Sequence, residues 1–257
     1  MRVLLILMAC IMALPSHAET AQEILQRIDA RDRGRDLVWD LSVTLTDRNG
    51  GTRNREAKIY YRTTGPGTSE QISVFFAPQN IRNTALLTVD GKSDDYMWLY
   101  LPALRKTKRV PAADRGASFV GTDLSNEDVK LGFEWEDYDA QLIETGNKQG
   151  AKAALLKIVP KTAKLRRSLG YDHALAWVRL DVYHMVETKF YRRDRLVKEF
   201  GASGIRNIQG ISTATELYAR DVTNNHTTRL KVTRARYNQG LSPEFFSRAT
   251  LSREVYP

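Results

Sequence analysis

The sequence predicts a mainly β chain with a few helices, an α+β domain of about ten or eleven antiparallel strands. Three observations carry that expectation. Alternating apolar and polar residues recur from residue 37 to residue 237. Turn-forming clusters such as Asp47-Arg48-Asn49-Gly50-Gly51 and Gly65-Pro66-Gly67 punctuate them. A clear helical period appears early, at Ala21, Ile24, Leu25 and Ile28.

Taken in order, the chain begins with Arg2, an apolar run from Val3 to Leu14, then Pro15-Ser16-His17-Ala18. A positive start, a short apolar core and small residues ahead of Glu19 make a cleavable signal peptide over residues 1–18. The run is too short for the roughly 20 apolar residues that span a bilayer. Leu7-Met8-Ala9-Cys10 faintly resembles a lipidation box, but too little apolar sequence precedes Cys10 for the usual arrangement. Cleavage after Ala18 removes that single cysteine. Disulfides and cysteine-held metals are then excluded, and residues 19–257 must fold as one domain on an apolar core.

Thr20 followed by Glu23 forms a capping box ahead of the helix. Residues 37–45 place Leu37, Trp39, Leu41, Val43 and Leu45 on one side, the pattern of a half-buried strand. Strands are expected next at 56–64, 71–77, 86–89 and 96–101. In the last, Trp98 and Tyr100 share one side while Leu99 and Leu101 take the other, so both faces should be covered. Residues 103–129 show little periodicity, and loops that long carry function or move. Further strands are expected at 139–143, 154–159, 175–182, 188–191 and 195–200, and a closing hairpin pairs 213–219 with 228–237 across Asp221–Asn225. Ser242-Pro243-Glu244 opens a short helical turn carrying Phe245 and Phe246.

Catalytic patterns are scarce. Beyond the leader, His173, His184 and His226 have no neighbour at metal-ligand spacing. Gly201-Ala202-Ser203-Gly204 is not a nucleophile elbow, and Gly116–Gly121 lacks the Lys-Ser/Thr of a phosphate loop. The acidic clusters at Asp123, Glu127, Asp128 and at Glu134, Glu136, Asp137, Asp139 read as solvated edges. No cofactor or metal is expected, and a hydrolase is the least favoured class.

The formal net charge is +9, from 39 basic against 30 acidic residues. For an exported chain that excess points to anionic lipids or acidic proteins, not nucleic acid. Its densest expression is Arg105-Lys106-Thr107-Lys108-Arg109. Arg105 and Arg109 share a side of an extended segment, placed to brace the loop through Asp114, Asp123 or Asp128 or to meet an anionic headgroup. Eleven tyrosines, eight phenylalanines and four tryptophans supply enough apolar surface for an acyl groove. A sixteen-carbon chain transferred at about 0.8 kcal/mol per CH2 contributes on the order of 12 kcal/mol before ordering costs.

The run Tyr96-Met97-Trp98-Leu99-Tyr100-Leu101-Pro102, continuing to Arg109, resembles bacterial outer-membrane lipoprotein-sorting proteins. So do Asp114-Arg115-Gly116 through Asp128, Phe190-Tyr191-Arg192-Arg193-Asp194-Arg195 and Arg236-Tyr237-Asn238-Gln239-Gly240-Leu241. Val129-Lys130-Leu131-Gly132-Phe133 is more apolar than the family's usual continuation. The resemblance implies a strongly curved, unclosed half-barrel sheet whose concave side is covered by helices and a long loop. It also implies a periplasmic carrier of lipid or lipoprotein acyl chains, with peripheral membrane contact and an inner-membrane exporter of the resistance-nodulation-division type as a companion. On that reading Ile24, Leu25, Ile28, Trp98, Leu99, Tyr100 and Leu101 border the groove, and Arg105 and Arg109 serve the headgroup or the loop. The alternative is an exporter-associated scaffold with a filled interior.

Overall fold

A computed structural model describes residues 19–91, 95–132, 134–254 and 256. The expected signal peptide, residues 1–18, and Phe133 lie outside the described residues. Helix α1 (Ala21–Asp29) starts where expected. The Thr20 hydroxyl accepts from Glu23 N, the Glu23 carboxylate accepts from Thr20 N, and Ala21, Ile24, Leu25 and Ile28 are buried.

Fifteen strands follow among the described residues: β1 (Asp36–Thr46), β2 (Thr52–Gly65), β3 (Thr68–Ala77), β4 (Ala85–Asp90), β5 (Tyr96–Leu101), β6 (Lys106–Arg109), β7 (Tyr138–Lys148) and β8 (Ala151–Pro160) form the first group. After helix α2 (Ala163–Leu169) come β9 (His173–Arg179), β10 (His184–Arg192), β11 (Arg195–Ser203), β12 (Arg206–Ile208), β13 (Ile211–Thr213), β14 (Glu216–Asp221) and β15 (His226–Tyr237). Helix α3 (Arg248–Arg253) closes the chain. No helix of the described residues is long and apolar enough to cross a membrane.

The expected strongly curved half-barrel of about ten or eleven strands is corrected here. Thirteen strands form one sheet in the order β6-β5-β4-β3-β2-β1-β15-β14-β11-β10-β9-β8-β7, and β12 pairs with β13 in a separate ribbon. The sheet is a large open antiparallel one, neither closed nor strongly curved. Alternation reveals which residues share a face but carries no information on how neighbouring strands turn relative to each other, so curvature rested on the resemblance alone. The extra strands come from places with no apolar alternation. Strand β6 lies inside the stretch read as a loop and pairs with β5 through Leu99↔Lys108 and Leu101↔Lys106.

The cover also differs from a helical lid on one side. Helix α1 packs Ile24, Leu25 and Ile28 on Ala154, Leu156, Ala176 and Val178 of β8 and β9. The same side of the β1–β5 half takes Phe119 and Val129 of the long connection against Phe75, Leu86 and Met97. The opposite side of that half is closed by the C-terminal segment, where Phe246 and Leu251 pack on Val38, Tyr60, Ile72, Val74 and Tyr100. Strand β5 is therefore covered on both faces, as its two apolar sides imply.

Candidate functional site: a strapped apolar cavity

The connection between β6 and β7 crosses the sheet as a strap, residues 124–132, with a turn at 126–129. One buried side chain holds its middle. Gln71 of β3 is 3% exposed; its Nε2 donates to the Val129 carbonyl at 2.8 Å, and its Oε1 accepts from Leu131 N at 3.0 Å. Pairing the Val129 carbonyl and the Leu131 amide with one side chain satisfies backbone groups that no neighbouring strand reaches.

The residues flanking Val129 fasten the strap sideways by ion pairs. The Lys198 amine of β11 lies 2.6 Å from the Asp128 carboxylate. Lys130, with 3% of its side chain exposed, lies 2.8 Å from Asp90, 3.2 Å from Glu127 and 2.6 Å from Glu134. Burial alone strips charge from a lysine. Here Glu127, Asp90 and Glu134 together outweigh burial and hold Lys130 above the ordinary lysine range. Burial raises the Glu127 and Asp95 carboxyls. Arg115 adds a second cation, 3.4 Å from Asp95 and 3.9 Å from Glu127.

Asp90, Asp95 and Glu134 bring carboxylate oxygens within 4.8 Å of one another, a spacing a metal ion can use. The Lys130 amine already stands against two of the three and supplies the positive charge an ion would bring.

Beneath the strap lies a cavity of about 360 Å³, within the range of small-ligand pockets. Leu41, Ile59, Leu217 and Leu230 of the sheet line it, with Leu124, Val129 and Leu131 of the strap above and Leu165 and Leu169 of α2 at one side. Tyr138 and Tyr171 also line it; their hydroxyls hydrogen-bond to each other, and burial raises both above the usual phenol range.

The expected groove residues lie outside this lining. Ile24, Leu25 and Ile28 are buried on β8 and β9 next to it, sharing a cluster with Ile158, which does line it. Trp98 and Tyr100 face the other side, where Arg248 stacks 4.5 Å over Trp98 and Tyr100 Oη donates to Glu254. Leu99 packs on the strap side with Phe75 and Met97, and Leu101 is half-buried at the end of β5.

Of the polar set, Asp128 lines the cavity. Asp123 receives Thr228 Oγ1 at 2.6 Å and lies 2.7 Å from His226 Nδ1, so neither carboxylate is a partner for Arg105 or Arg109. The Asp114 carbonyl accepts from the Asn126 side chain. Arg105 and Arg109 are exposed on the β5–β6 edge, with Arg109 stacked 5.0 Å over Tyr96. Sequence reasoning missed Gln71, Lys198 and Tyr171. Lys130 inside an apolar run was the one available sign of a buried, partnered charge.

The fold is similar to that of a DUF1329 family protein from Desulfovibrio piger, with a TM-score of 0.82 and 28% identity over 90% of this chain and 97% of that one. A domain from Vibrio parahaemolyticus assigned to outer membrane lipoprotein-sorting proteins gives a TM-score of 0.83 at 23% identity, covering 91% and 98%. A LolA superfamily protein from Nitrosomonas europaea gives 0.70 at 18%, covering 91% and 100%. The chain thus shares the fold of lipoprotein-sorting and LolA superfamily structures. No curated protein matches the sequence. A family model described as "uncharacterized protein" matches residues 67–253, well over half of the chain, and the protein belongs to that family.

Proposed function

We propose that the protein is a non-enzymatic periplasmic carrier that holds the acyl chain of a lipid or lipoprotein in the cavity beneath the strap. The observation that carries this reading is the cavity itself: about 360 Å³ of space lined mostly by aliphatic and aromatic side chains, under a segment held by side chains it can exchange. Apolar transfer supplies the affinity, at about 0.8 kcal/mol per buried CH2, and needs no reacting group. Open volume at this position favours carriage over a filled scaffold. The shared fold with lipoprotein-sorting structures supports the same reading. A resistance-nodulation-division exporter as the membrane partner belongs to this proposal through the sequence resemblance.

Native mass spectrometry of gently purified protein tests it. Acyl lipid should copurify at one per chain. Ala174, 3% exposed on β9, lines the cavity, and Ala174→Phe should fill part of it. That variant should stay folded and lose lipid occupancy by about tenfold, roughly 1.4 kcal/mol. A lipid-free wild type indifferent to added lipid, or full occupancy in the filled variant, ends the proposal.

We further propose that the β6 edge meets an anionic membrane during exchange. Arg105, Lys106, Lys108 and Arg109 are exposed there, and Leu104 protrudes at 55% exposure. Each cation near an anionic surface contributes about 1 kcal/mol. Arg105→Gln with Arg109→Gln should therefore weaken binding to phosphatidylglycerol vesicles roughly thirtyfold, and less so at high salt. Unchanged vesicle binding by the folded double variant eliminates that contact.

A further inference from the structure

An opening adjoins the cavity at each end of its strands, and the two differ in charge. One lies by the C-terminal end of α1 and the end of β2. Seven carboxylates line it, Asp90, Asp95, Glu134 and Asp137 among them, against Arg31 and Arg33, so its balance is acidic. The other lies at the opposite strand ends, beside the start of β2 and the β14–β15 turn. It has a volume of about 670 Å³ and is lined by Arg53, Arg192, Lys198 and His226 together with Asp123 and Asp221. It shares Leu124, Leu169, Tyr171 and Phe190 with the apolar cavity, so the two adjoin across these side chains.

The carboxylates in this second opening are committed locally. Asp123 takes Thr228 and His226, and Asp221 takes the backbone and side-chain nitrogens of Asn224 at 2.9 and 2.7 Å. Arg192 gives its Nε to the Gly170 carbonyl, and it and Arg53 are exposed with no carboxylate partner among the described residues. Lys198 stands at the throat. Its amine lies 4.8 Å over both the Phe190 and Phe200 rings and is paired with Asp128 of the strap.

Guanidinium and ammonium groups beside an apolar channel fit an oxyanion attached to an acyl chain. The acidic opening repels the same headgroup, which leaves one orientation. We propose that the Arg53–Arg192–Lys198 opening seats the phosphate of an anionic lipid whose acyl chain fills the cavity, the phosphate competing with Asp128 for Lys198. This rests on the carrier reading above. It adds a consequence: headgroup binding at Lys198 undoes the strap's fastening at that end, so cargo entry and strap release are one event.

The test compares dioleoylphosphatidylglycerol with dioleoylglycerol, which has the same chains and no phosphate, as displacers of a fluorescent acyl probe from the full chain. The wild type should bind the phosphatidylglycerol at least tenfold more tightly. Arg53→Gln with Arg192→Gln, both at exposed positions, should remove most of that preference and leave dioleoylglycerol unchanged. Lys198→Gln should also remove the preference, read as the ratio of the two affinities because loss of the Asp128 pair loosens the strap for both lipids, with fold checked by circular dichroism. Equal affinity for the two lipids in the wild type, or an equal loss of both in the arginine variant, overturns headgroup recognition while leaving the carrier reading standing. Inorganic phosphate should not displace the probe; displacement at micromolar phosphate would make this a phosphate site and overturn the lipid assignment. Failure of either lipid to bind overturns both readings together.

Discussion

Lys130→Met is expected to destabilise the protein by about 3–5 kcal/mol, the loss typical when one partner of a buried ion pair is removed. The reason is what it leaves behind. Asp90, Glu127 and Glu134 converge on the Lys130 amine at 2.8, 3.2 and 2.6 Å, and without it they face one another in a site with little water. Burial and mutual repulsion then raise the Glu127 and Glu134 carboxyls above their unfolded values. A group raised in the folded state destabilises fully above its folded pKa and is relieved as pH falls through it. The variant's deficit in urea midpoint should be largest at neutral pH and shrink through the carboxylate range. The wild type should show the reverse for Glu134, whose carboxyl is raised by burial but pulled below its ordinary value overall by Lys130; that contribution is lost on acidification. A deficit under 1 kcal/mol, or one independent of pH, contradicts this account of the cluster.

Gln71→Leu is expected to free the strap. The substitution removes both partners of the Val129 carbonyl and the Leu131 amide, and a buried polar group left unpaired costs about 1–3 kcal/mol. Two such groups amount to roughly 2–6 kcal/mol, much of it borne locally because residues 127–132 can lift from the sheet and find water. Amide exchange in that stretch should accelerate by about two orders of magnitude, while α1, packed on β8 and β9, keeps its protection. Bound lipid should dissociate faster. Protection of residues 127–132 equal to that of the wild type would show that Gln71 does not hold the strap.

How far the sequence disclosed this arrangement depends on whether the information was local. Alternation over residues 37–45 correctly gave the buried face of β1, and Thr20 with Glu23 correctly gave the start of α1. Alternation also separated Trp98 and Tyr100 from Leu99 correctly. It could not say which side met the strap, because both are apolar and the C-terminal segment claims the Trp98–Tyr100 side. Strand β6 stayed hidden because Lys106, Lys108 and Arg109 pair through backbone groups and bury little. The cavity's fastenings join positions remote in sequence: Asp128 to Lys198, Gln71 to Val129 and Leu131. None of these pairings leaves a periodic mark. The only local trace was a lysine between Val129 and Leu131, and that trace became interpretable once Asp90 was found beside it.

The two outer strands have a consequence for the protein as a population of molecules. Each outer strand carries hydrogen-bonding groups open to pairing with an identical molecule, which is how open sheets polymerise. At β6 the rim is short and its exposed residues are Lys106, Lys108 and Arg109, so two copies meeting there repel. At β7 a bulge at Leu142/Glu144 breaks the ladder beside exposed Ile143, and a register that cannot continue limits zippering. Both rims therefore disfavour edge-to-edge growth of the sheet from one copy of the chain to the next.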